Sequence, residues 1–196
     1  MFDCRHRPFA LPVPLASALA AAYGEPQRAY HTAAHVAEVL GWFDLVADDV
    51  GWAHPADVYA AIVLHDAVYV PGAKDNEARS AAWARSAGLP VDADRVAQLI
   101  ELTARHGKLA PGDVDAETAR FLDCDMAILG SDPAAFDAYD AAIAREYAHV
   151  PPDAYRAGRA AFLAGLAAAP RIFLSDYFHA RLDARARANL ARVRAV

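Results

Sequence analysis

Cysteine is nearly absent: Cys4 and Cys124 are the only two in 196 residues, far apart and without CxxC spacing. That excludes a disulfide framework and points to a reducing compartment. Long apolar runs are missing too. The stretch near 15–23 is too short to cross a bilayer, and Met1-Phe2-Asp3-Cys4-Arg5-His6-Arg7-Pro8 leads into no signal-type apolar region. The expectation is a cytoplasmic protein without a membrane partner. Positive charge is in deficit, with 19 Lys and Arg against 25 Asp and Glu and a net charge of −6. General nucleic-acid binding needs clustered excess Lys and Arg, so this balance argues against it. A small anionic substrate stays open, because a bound cation reverses the local field. No run alternates with period two long enough for a convincing strand, and no internal repeat occurs.

What remains is helix. Residues of the aliphatic and aromatic classes make up 56% of the chain and alanine is abundant, which favours helix over strand. Helical periodicity, Pro starts and Gly stops place segments at about 12–23, 30–48, 55–65, 75–87, 92–106, 115–129, 133–148, 151–168 and 176–194. In the second of these, Val36, Val39, Leu40, Phe43 and Val46 form a core-facing stripe. The chain reads as all-α and as one domain over 1–196, with a core at about 28–165 and an N-terminal and a C-terminal helix packed on it.

Polar groups interrupt these apolar segments at two places. His31 and His35 lie one helical turn apart in Tyr30-His31-Thr32-Ala33-Ala34-His35, and His65-Asp66 follows Ala61-Ile62-Val63-Leu64. Packing alone would require a cap for Asp66 and a separate internal hydrogen bond for His65. A divalent cation accounts for both, because imidazole nitrogen and carboxylate oxygen are ordinary ligands of such ions. A further ligand is expected from Leu122-Asp123-Cys124-Asp125-Met126. Helical spacing sets Asp125 with Leu122 and Leu129 on the inward stripe and Asp123 on another face, so Asp125 is the preferred ligand. Asp123 is left a supporting or capping role. Cys124 reads as a small buried residue.

These motifs resemble the HD-domain superfamily of metal-dependent phosphohydrolases, whose pattern H…HD…D is met by His35, His65-Asp66 and Asp125. Tyr30-His31-Thr32-x-x-His35 is similar to the Tyr-His-Asn-x-x-His motif of cyclic-nucleotide phosphodiesterases. His65-Asp66-Ala67-Val68-Tyr69-Val70-Pro71-Gly72 with Asp75-Asn76-Glu77 is similar to their HD-x-x-H-P-G-x-x-N segment, with Tyr69 in place of a His. The set is closer still to a small bacterial group of predicted HD phosphohydrolases and covers most of residues 28–165.

The resemblance implies a single-domain helical HD fold. His35, His65, Asp66 and Asp125 would hold the metal, and His31 and Asp66 would act in catalysis. Tyr69, Asn76, Glu77, His106 and Arg159 are candidates for substrate binding. For His106 a helix C-terminal role competes, for Glu77 a capping role and for Arg159 a salt bridge. The cofactor would be a divalent ion: manganese, iron, cobalt, nickel, zinc or magnesium. The substrate would be a small phosphate ester, most plausibly a nucleotide, and a homo-oligomer is compatible with the sequence. A non-catalytic sensor that binds a nucleotide through the same metal is the competing expectation, and His31 counts against it because a sensor needs no proton donor.

Overall fold

The computed structural model describes residues 2–194 and, among these, contains nine α-helices and no strand. The all-α expectation holds. The chain divides into two compact units, Met1–Ala104 and Arg105–Val196.

The first unit holds α1 (Val13–Tyr23), α2 (Ala33–Asp49), α3 (Pro55–Leu64), α4 (Asn76–Ser86) and α5 (Ala93–Thr103). Proline at the first turn of α1 and of α3 starts each helix where an N–H has no intrahelical partner. Asp92 caps α5 by accepting from the amides of Asp94 and Arg95, both at 3.1 Å. The centre of the unit is α3, which packs against α2, α4 and α5. Val58 through Leu64 are fully enclosed, and the α2 stripe of Val36, Val39, Leu40, Phe43 and Val46 is buried as its spacing predicts. The N-terminal segment is tied to this core. Tyr59 donates its hydroxyl to the Phe2 carbonyl at 2.7 Å, and the Asp44 carboxylate accepts from the Arg5 and His6 amides at 2.8 and 2.9 Å.

The second unit holds α6 (Ala116–Met126), a 3-10 turn at Ala127–Gly130, α7 (Pro133–Glu146), α8 (Pro152–Ala168) and α9 (Asp176–Arg194). Helix α9 packs on the 3-10 turn, on α8 and on α6. Phe121, Leu129, Phe136, Phe173, Phe178, Leu182 and Leu190 form the apolar interior. Two polar side chains fasten it. Asn189 donates Nδ2 to the carbonyls of Leu129 and Ser131, and Asp123 accepts from the Leu174 and Ser175 amides at 2.8 and 2.7 Å and from the Ser175 hydroxyl at 2.6 Å.

Candidate metal centre

Three donors, one from α2 and two from the corner after α3, converge in the first unit. His35 lies in the first turn of α2, His65 caps the C-terminus of α3, and Asp66 follows it. His35 Nε2 is 3.2 Å from His65 Nε2, His65 Nε2 is 3.1 Å from Asp66 Oδ2, and His35 Nε2 is 3.7 Å from the same oxygen. Two ligands at about 2.1 Å from one cation are ~3.0 Å apart at a right angle and ~3.4 Å apart at the tetrahedral angle. The 3.2 and 3.1 Å separations fall in that range and the 3.7 Å one is slightly wider, so these residues could hold a single divalent ion.

The chemistry of the donors agrees. His65 Nδ1 donates to the Ile62 carbonyl at 2.8 Å, which leaves the lone pair of the neutral ring on Nε2, the atom in the cluster. Both imidazoles are buried, while the Asp66 side chain retains 16% exposure. The histidines are thus shut off from solvent, and the carboxylate is the partly exposed member of the cluster. The C-terminus of α3 ends at these groups, and its partial negative charge favours a cation there.

His31 stands in the turn before α2 and not in the helix. Thr32, extended at φ −112° and ψ 178°, accepts from the Ala34 amide at 3.3 Å and starts the helix at Ala33. The expected helix from about 30 thus begins later, because threonine in that conformation is a cap. His31 still reaches the cluster, with its ring centre 6.0 Å from that of His35. Tyr69 stacks on His31 at 4.1 Å between centres, and the Tyr30 ring lies 4.7 Å from His35.

Other candidates are placed differently. Asn76 is buried, and its amide bonds both the N–H and the C=O of Val70 at 3.0 Å, so it shapes the turn after Asp66. Ser80 secures Val68 in the same way. Glu77, half-buried, sits in the first turn of α4, where a carboxylate is favourable.

In the second unit, His106 Nε2 pairs with Asp125 Oδ2 at 2.8 Å. The Arg159 guanidinium bonds Asp140 at 2.9 and 2.8 Å and lies over the Tyr139 ring, a structural arrangement. The inward stripe that joined Asp125 to Leu129 does not survive, since α6 ends at Met126 and the 3-10 turn changes the phase. Asp123 is the buried carboxylate there, and Asp125 is partly exposed. Neither cysteine offers a nucleophile: burial, followed by the charge of Asp44, pushes the Cys4 thiol up to about 12, and burial raises Cys124 as well.

Tyr30, part of the Tyr-His-Thr motif, packs its ring on both His31 and His35. One neighbour of the cluster has no counterpart in the motifs. Arg28 is buried beneath the His31 turn, and its signal in the sequence is the i,i+3 pairing with Glu25 at 3.1 Å. Comparison with protein-family models finds no match, and neither curated proteins nor solved structures give one. The likeness to HD-domain phosphohydrolases rests on the motif residues themselves.

Proposed function

We propose that this chain is a metal-dependent hydrolase of small phosphate esters, with nucleotides as the leading substrate class. The observation that carries this reading is the convergence of His35 Nε2, His65 Nε2 and Asp66 Oδ2 at ligand–ligand distances, beside a histidine that the cluster does not consume. A divalent cation bound there supplies Lewis-acid activation of the phosphoryl group and of water at neutral pH.

The chain's own groups do the rest. His65 keeps its Nε2 lone pair available through the bond to Ile62, and Asp66, open on one side, orients the attacking water. His31, held face to face with Tyr69, donates a proton to the departing oxygen. Monoester, diester and pyrophosphate bonds all suit this equipment, and the native ion is any that accepts two imidazoles and a carboxylate.

The test is elemental analysis of the purified protein, followed by phosphate-release assays on nucleotides and generic phosphoesters with each metal restored. The expected result is one divalent ion per chain and metal-dependent release from at least one ester. A metal-loaded protein that cleaves none of them would overturn the hydrolase in favour of a sensor. A protein that binds no divalent ion would overturn both.

A further inference from the structure

The Arg28 side chain is fully enclosed, which is costly for a cation unless its hydrogen-bonding groups are met. Its partners form a pattern. Nε donates to Glu25 Oε2 at 3.1 Å. Nη1 donates to the carbonyls of His31 at 2.9 Å and Asp66 at 2.7 Å, and Nη2 to that of Ala67 at 3.2 Å. The guanidinium also lies over the Tyr23 and Tyr69 rings at 5.1 and 5.5 Å, and Tyr69 is the ring stacked on His31. One planar group thus joins the turn carrying His31, the main chain of Asp66 and Ala67, and the ring that orients His31.

We propose that Arg28 is a positioning residue for the metal centre: it sets the His31 turn against the His65-Asp66 corner without touching metal or substrate. This rests on the metal reading above. The role requires the rigid fork of a guanidinium, because the ammonium of lysine is a point charge that cannot bond three separated carbonyls in fixed directions. Glu25, whose side chain is 43% exposed, neutralises the guanidinium from the solvent side and steadies its Nε.

The experiment uses the full chain and two readouts: Co(II) affinity from visible absorption titration, and the His31 Hε1 proton shift in metal-free protein. The variants are Arg28→Lys and the milder Glu25→Gln, which leaves the guanidinium in place. Phe43→Leu, a change in the α2 core, serves as the control for general loss of stability.

Arg28→Lys should weaken Co(II) binding by about tenfold or more, the usual effect of losing a group that orients metal ligands. It should also abolish the ring-current shift that Tyr69 imposes on His31. Glu25→Gln should move both readouts the same way by a smaller amount, and it decides the matter if Arg28→Lys does not fold. Unchanged affinity and unchanged shift in the folded variants would overturn the proposal. So would an equal loss of affinity in Phe43→Leu, which would reduce Arg28 to a packing residue. A wild-type chain that takes up no Co(II) would sink the metal reading instead, while the His31 shift still tests whether Arg28 places that ring.

Discussion

Gly130 lies so close to Leu182 of α9 that a Cβ at position 130 would stand 2.6 Å from the Leu182 Cβ and 3.0 Å from its carbonyl oxygen. The obstruction is backbone and Cβ, so no rotamer change relieves it. Gly130→Ala should destabilise the protein by ~1–3 kcal/mol, the usual cost of overpacking, in urea unfolding. Adding Leu182→Ala should give no rescue, because the offending atoms remain. A Gly130→Ala variant of wild-type stability would show that α9 can move off the 3-10 turn freely.

Removal of a metal ligand should uncouple stability from the ion. In wild type, saturating divalent ion should raise the unfolding free energy by RT ln(1 + [L]/Kd), which is ~4 kcal/mol at a thousandfold excess over Kd. His65→Ala and Asp66→Asn should abolish that gain, and a chelator should no longer lower their Tm. A full metal-dependent shift in either variant would remove that residue from the ligand set.

Because His31 is adjacent to the ligand cluster but assigned to the leaving group, chemistry and binding should separate there. His31→Asn should keep its metal and lose activity on poor leaving groups by ~10²–10⁴-fold, the range of general acid catalysis. An activated aryl phosphate needs little protonation and should lose much less. Equal losses on both substrates with metal retained would reduce His31 to a positioning residue, and loss of metal would make it a ligand.

Asp123 gives a pH signature. Burial raises its carboxyl to about 6, against the opposing effect of hydrogen bonds from Ser175 and Leu174. Between the ordinary carboxylate value of ~4 and about 6, the folded chain holds a proton that the unfolded chain has released. The stability contributed by this protonation is complete below the unfolded value, falls as pH rises through the window, and is gone above the folded value.

Asp123→Asn should be less stable throughout, since its amide N–H₂ must face the Leu174 amide or the Ser175 donors. The wild-type advantage should shrink by something on the order of 2 kcal/mol between about pH 4 and pH 7. Urea unfolding across that range checks it, and an advantage that grows with pH would contradict the assignment.

The helices were legible because their ends carry chemistry: Pro55, Pro133 and Pro152 sit at first helical positions, Gly24 follows α1 and Gly130 closes the 3-10 turn. The His35, His65 and Asp66 cluster was legible because charge and imidazole in an apolar segment demand a partner. Three things were not. Thr32 outweighed the apolar period that ran back to Tyr30, because a cap is a matter of backbone conformation and not of spacing. The burial of Asp123 and not Asp125 depended on partners remote in sequence, the Leu174 and Ser175 amides and the Ser175 hydroxyl that its carboxylate accepts from. Asn76 looked like a pocket residue, yet its amide carries both a donor and an acceptor, and the backbone N–H and C=O of Val70 take both.

The seven residues of α3 from Val58 to Leu64 show no exposure at all, and His65 continues directly from them. Their amides have no route to solvent short of opening the unit, so they belong to the slowest-exchanging set of protons. The arm that carries two of the three donors is therefore rigid whether or not an ion is bound. If an ion is bound there, a chelator should draw it out with the helix intact, past the partly exposed Asp66. The rate of stripping should be flat in urea until the unfolding transition, and amide exchange at Ile62 to Leu64 should be no faster in the metal-free protein than its global stability allows.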